Sequence, residues 1–158
     1  MLRISKLTDY GTVILADLAD RGDALASATD VADHTGLGPA TVRKLLKTLA
    51  RAGLVEAKRG AKGGYRLARA PATITAAQVI DALEGPVSIT ECSVADKTCE
   101  IEANCTIGGA WQRINVAIRT VLDDITLADL QTSKIRAPRF EFAGMPITIE
   151  RTTERKQR

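Results

Sequence analysis

Residues 27–53 read SATDVADHTGLGPATVRKLLKTLARAG, and the order of signals in this stretch decides the fold. Ser27 followed by Asp30 is a capping-box pair, which starts a helix by satisfying its orphan N–H groups. The segment runs about two turns to His34 and meets Gly36, a residue that ends helices because it adopts the left-handed conformation cheaply. Gly38 and Pro39 then supply a cap and a first-turn proline. Val42, Leu45, Leu46 and Leu49 follow at i, i+3, i+4 and i+7, one apolar stripe of a helix that runs to Gly53. A short helix, a glycine turn and a second helix with a cationic outer face form the helix-turn-helix pattern.

The flanks extend that pattern. Upstream, Leu7, Tyr10, Ile14 and Leu18 recur at three- and four-residue steps and predict a first helix. Downstream, residues 54–68, LVEAKRGAKGGYRLA, read as strand, turn and strand with a glycine-rich basic tip. The expected fold is mainly α with a small β wing. A winged helix-turn-helix takes residues 1–70, and a packing helix and linker take 71–90.

Charge is distributed unevenly. Residues 41–69 carry nine basic side chains against one acid, Glu56, a local +8 in a chain whose net charge is +3, so the rest sums to −5. A cationic stripe of this kind suits a phosphate backbone, where each neutralised phosphate releases counterions. The second helix of the motif is the expected recognition helix. Thr41, Arg43 and Lys44, near its start, are candidates for reading base edges of duplex DNA in the major groove. Lys47 and Arg51 are assigned to phosphates, and Arg59 and Lys62 place charge at a wing tip narrow enough for a minor groove.

With 158 residues, 45% apolar and 26% charged, the chain has globular composition. Neither a membrane-spanning apolar run nor a secretory signal is found, and a cytoplasmic location is expected. No nucleophile and base pair or phosphate-binding glycine loop points to an enzyme.

All three cysteines lie close together, Cys92, Cys99 and Cys105, in a loop spanning residues 91–107. Their C-x6-C-x5-C spacing is looser than a zinc knuckle, and no histidine lies nearby. Two readings remain open from the residues: an iron–sulfur cluster whose fourth ligand is not cysteine, or free thiols with redox chemistry. Beyond them Trp111, Ile114, Ile118, Val121 and Ile125 step by 3, 4, 3 and 4, a two-heptad seam about 22 Å long. Residues 108–132 are accordingly expected to be a dimerisation helix for a homodimer, with a core helix as the other reading. Residues 133–158 form a tail expected to be partly disordered, with an apolar patch of Phe140, Phe142, Met145, Ile147 and Ile149.

Taken together, LRISKLTDYG, RGAKGGYRLA, TAAQVIDALEG, the three-cysteine loop and DDITLADL resemble the family of winged-helix iron–sulfur repressors that includes IscR and NsrR. The resemblance covers about residues 1–132 and is greatest to the branch that regulates the SUF iron–sulfur assembly system. It implies a homodimeric repressor on a two-fold DNA operator, with a cluster held by Cys92, Cys99 and Cys105. IscR-like members carry a histidine three residues after the last cysteine, where this chain has Gly108; His34 is its only histidine. NsrR-like members use an N-terminal aspartate supplied across the dimer, and Asp9 matches that position. A first-turn acid favoured by the helix dipole is the equal alternative for Asp9. Glu91, Glu100 and Glu102 are further candidates, and 2Fe-2S and 4Fe-4S clusters both remain open. A metal-free thiol sensor is the alternative function.

Overall fold

Four capped helices and one hairpin build the first half of the chain. The computed structural model describes residues 4–60, 62–88 and 107–131, with the backbone of Phe140–Phe142 and Met145–Ile147. Helix α1 (Lys6–Asp20) starts at Ser5, whose hydroxyl accepts from the Thr8 N–H. Helix α2 (Ala28–Thr35) has the reciprocal Ser27 and Asp30 capping box and ends on Gly36 at φ 69°. Helix α3 (Pro39–Arg51) buries Val42, Leu45, Leu46 and Leu49, the stripe expected from the sequence. These four meet Ile14, Leu15 and Leu18 of α1 and Val31 of α2 in one core. Each fully buried leucine or isoleucine there contributes about 1.5–3 kcal/mol.

The face of α1 differs from the periodicity reading. Leu7 is 40% exposed and Tyr10 only half-buried, while Gly11, Ile14, Leu15 and Leu18 face inward. On the inward face Leu83 of a later helix, 72 residues away, packs directly on Gly11, where a Cβ would crowd its side chain.

The wing follows directly. Strands β1 (Val55–Lys58) and β2 (Gly64–Leu67) pair antiparallel, with Val55 opposite Leu67 and Lys58 opposite Gly64. Gly60 takes φ 115° in the reversal, a conformation open to glycine. The hairpin is also tied to the segment ahead of α2, because Tyr65 donates to the Ala26 carbonyl at 2.8 Å and Ala26 donates back to Tyr65 at 3.0 Å.

After one turn of 3-10 helix at Pro71–Thr73, helix α4 (Ala76–Glu84) opens with a Thr75 and Gln78 capping box. Helix α5 (Gly108–Asp124) has no buried residue. It ends before Ile125, short of the expected 132, because Thr126 and Asp129 cap a separate short helix, α6 (Leu127–Gln131). Ile125 instead accepts a hydrogen bond from Ala76 at 2.8 Å, and Leu127 donates to Ile74 at 2.7 Å. The end of α5 is thereby stitched to the start of α4. Within the tail, β3 (Phe140–Phe142) and β4 (Met145–Ile147) pair as an antiparallel hairpin. The rest of residues 133–158 lies outside the described residues.

Candidate nucleic-acid interface and sensor site

The stripe that buries Val42, Leu45, Leu46 and Leu49 forces the rest of α3 outward. Arg43, Lys44, Lys47 and Arg51 are exposed, and among the described residues none of them meets an acid. Thr41 is half-buried. Thr48 is half-buried and its hydroxyl donates to the Lys44 carbonyl, 3.1 Å. At the wing, Arg59 and Lys62 are exposed and likewise unpaired among the described residues. Two other cations of the stripe are engaged within the fold. Arg66 pairs with Glu56 at 2.7 Å across the hairpin, which holds the Glu56 carboxyl below its ordinary range, and Arg69 donates to Gln78 at 2.8 Å. The free positive charge therefore concentrates on α3 and the wing tip.

A buried carboxylate ties α1 to the first helix of the helix-turn-helix. Asp17 is 5% exposed, and a buried charge is costly unless paired. It accepts from Arg21 Nε and Nη2 at 2.9 and 3.1 Å and from His34 Nδ1, which joins α1 to the end of α2. The Asp17 and Arg21 pair has i, i+4 spacing legible in principle; the link to His34 does not.

Asp9 sits in the first turn of α1 and is exposed. It lines a hollow of about 480 Å³ walled by apolar side chains, including Ile4, Val79, Ile80, Leu122 and Ile125. Among the described residues its carboxylate has no hydrogen-bond partner. Cys92, Cys99, Cys105, Glu91, Glu100 and Glu102 lie outside the described residues, so the cluster set expected from the sequence is represented here by Asp9 alone. Gly108, where some family members carry histidine, is the first residue of α5.

Two further residues hold the elements around that hollow. Glu84, last in α4, accepts from the Ser5 N–H at 2.9 Å and from the Thr8 hydroxyl. The Thr8 hydroxyl, then the Ser5 amide, keeps its carboxyl below the usual range. Arg119 of α5 pairs with Asp81 of α4 at 2.7 Å and with Asp123 at 3.2 Å. Only the Arg119 and Asp123 spacing could have been seen in the sequence. No helix among the described residues is long and apolar enough to cross a membrane.

A helix-turn-helix with an exposed cationic second helix, followed by a basic-tipped hairpin, defines the winged-helix class of DNA-binding proteins. Known proteins narrow the class. The family model for the iron-dependent transcriptional regulators, Rrf2, matches residues 4–133, and the chain belongs to that family. The HTH-type transcriptional regulator CymR of Bacillus subtilis is 36% identical over 130 residues, covering 82% of this chain and 89% of the relative. The structure of that protein, described as the global cysteine regulator, superposes with TM-score 0.63 at 37% identity over 83% of this chain and 97% of CymR. IscR of T. potens gives 0.58 at 34% identity over 82% and 85%. The oxidised form of Staphylococcus aureus CymR gives 0.60 at 31% identity over 83% and 97%. These relatives are transcriptional regulators, and this chain is a DNA-binding transcriptional regulator rather than an enzyme.

Proposed function

We propose that this regulator binds a two-fold operator as a homodimer and reports the state of an iron–sulfur cluster, repressing SUF-type cluster-assembly genes in the cytoplasm. The observation that carries the dimer is α5: 17 residues, none buried, with Trp111, Ile114 and Val121 exposed along one seam. Such a helix lowers its free energy by covering that seam with a second copy. Arg43 and Lys44 donate to base edges, with Thr41 beside them. Lys47 and Arg51 bind phosphates, and Arg59 and Lys62 enter the minor groove. The exposure of the six cations and their lack of acidic partners among the described residues support these roles.

The cluster reading assigns Cys92, Cys99 and Cys105 as thiolate ligands and Asp9 of the other subunit as the fourth. The Asp9 carboxylate, without a hydrogen-bond partner among the described residues, lines a hollow and is the structural feature that fits; a carboxylate is a competent iron ligand. Bound there, the group would supply a crosslink sensitive to iron and oxidants. The residues of the chain do the rest: the thiol loop leads straight into α5, so a change in the loop bears on the angle between the two recognition helices.

Metal-free thiol sensing is the second reading, favoured by kinship with CymR, one structure of which is of an oxidised form. Anaerobic purification separates the two. Iron, sulfide and visible absorbance that disappear in Cys92→Ala, with a shifted spectrum in Asp9→Ala, are expected. A colourless, iron-free wild type would leave only the thiol reading. Equal operator affinity with and without the cluster would sink cluster sensing while leaving DNA binding intact.

A further inference from the structure

The last turn of α4 and the first turns of α1 are joined by hydrogen bonds and by close packing. Glu84 ends α4, and Cys92 follows eight residues later. Its Oε1 accepts from both the Ser5 amide and the Thr8 hydroxyl; among the described residues, these are the two side-chain hydrogen bonds linking α4 to the start of α1. Thr8 is 3% exposed, so its hydroxyl has little water to fall back on. One turn further along, Leu83 packs directly against Gly11, and a Cβ there would force the Leu83 side chain to move. Ile4, Ile80 and Leu122 line both the hollow beside Asp9 and a second hollow of about 340 Å³ that reaches Glu84, Val87 and Ser88. The chain thus leaves the DNA-binding half for the thiol loop from the very point at which α1 is capped. On its return it is clipped to α4 again, by Arg119 on Asp81.

We infer that Glu84 is a positioning residue that latches the end of α4, seven residues ahead of the cysteine segment, to the first turn of α1, so that the state of the thiols is transmitted to the helix-turn-helix within one subunit. This inference rests on the reading that the cysteine segment is the sensor, but it needs neither a metal nor Asp9 as a ligand. A change at the thiols that pulls on residues 85–88 would draw Glu84 from Ser5 and Thr8. The first turn of α1 then loses its acceptor for the Ser5 amide, and α1, which packs on both α2 and α3, shifts its hold on them. Two-state coupling elements of this kind change linked equilibria by about 5–150-fold.

Amide hydrogen exchange of the full chain tests this directly, comparing the protein as isolated with protein whose thiols are capped by N-ethylmaleimide. In wild type, capping should speed exchange at residues 5–9 by about 5-fold or more. In Glu84→Gln and Thr8→Val that response should vanish, and Thr8→Ser, which keeps the hydroxyl, should restore it. A structural role alone would change the starting protection without removing the response to capping. Persistence of the response in Glu84→Gln, or its absence in wild type, overturns the inference. Iron content and operator affinity are separate measurements. A colourless protein with a Glu84-dependent response would defeat the cluster reading and keep the latch, and a cluster-bearing protein without the response would do the reverse.

Discussion

Helices α3 and α5 advertise themselves in the sequence by similar apolar spacings, yet α3 buries four of its 13 residues and α5 buries none of its 17. Both have an apolar stripe. What differs is whether this chain supplies the opposite surface: α1, α2 and α4 wrap α3, whereas α5 touches α4 along one side and leaves Trp111, Ile114 and Val121 in solvent. Periodicity reports that a stripe will be covered and says nothing about who covers it.

The contrast can be broken from either side. Leu46→Ala opens a cavity in the core around α3 and should destabilise the protein by about 2–5 kcal/mol in chemical denaturation. The equivalent insult on α5, Ile114→Glu with Val121→Glu, should leave the unfolding of the DNA-binding half nearly unchanged. It should yield a monomer by sedimentation and lower operator affinity about 100-fold, the loss expected when two half-sites are no longer bound together. A double variant that stays dimeric would reassign the seam. Within α3, Arg43→Ala should cost about 1–3 kcal/mol of operator binding and relax base preference at one position, read by competition with operator variants. Lys47→Ala should act more weakly and uniformly, reducing the slope of log affinity against log salt by about 1.

Acid titration gives the smallest effect. Glu84, Asp30, Glu56 and Asp129 all have carboxyls held below their ordinary values, by Thr8, Ser27, Arg66 and Thr126 respectively. Their stabilisation is therefore present above the ordinary carboxylate range, about pH 4, and is lost as pH falls through the lower folded values. Melting temperature should stay level from pH 7 to about 5 and then decline. In Glu84→Gln the decline should be shallower.

Legibility followed sequence distance. The capping boxes at Ser27 and Thr75, the Gly36 stop and the α3 stripe were readable because partner and signal lie within a few residues. On α1 the periodicity includes Leu7, which is exposed, and misses Gly11, whose partner Leu83 lies 72 residues away; Ile125 falls outside α5 because its carbonyl accepts from Ala76 in an extended crossing. Glu84 was invisible for the same reason: its partners lie 79 and 76 residues upstream. The unpaired cations of α3 were legible as a charge run, but that Arg66 is spent on Glu56 required the hairpin register. Asp9 was found through family resemblance, and its place on a hollow came from the packing of α4 and α5 beside α1.

The pair of hydrogen bonds between Ala26 and Tyr65 makes the wing a third-strand partner of the segment that launches α2, and a Cβ on Gly64 would lie 2.7 Å from the Ala26 carbonyl oxygen. Wing tip and recognition helix are therefore arms of one caliper with a locked jaw. Such a tool measures a half-site of constant length. In the proposed dimer, a signal that reaches α1 therefore moves wing and recognition helix as one unit and changes the gap between two such units, so a base pair inserted inside a half-site should be rejected in every state, and one inserted between half-sites should be rejected in some states more than in others.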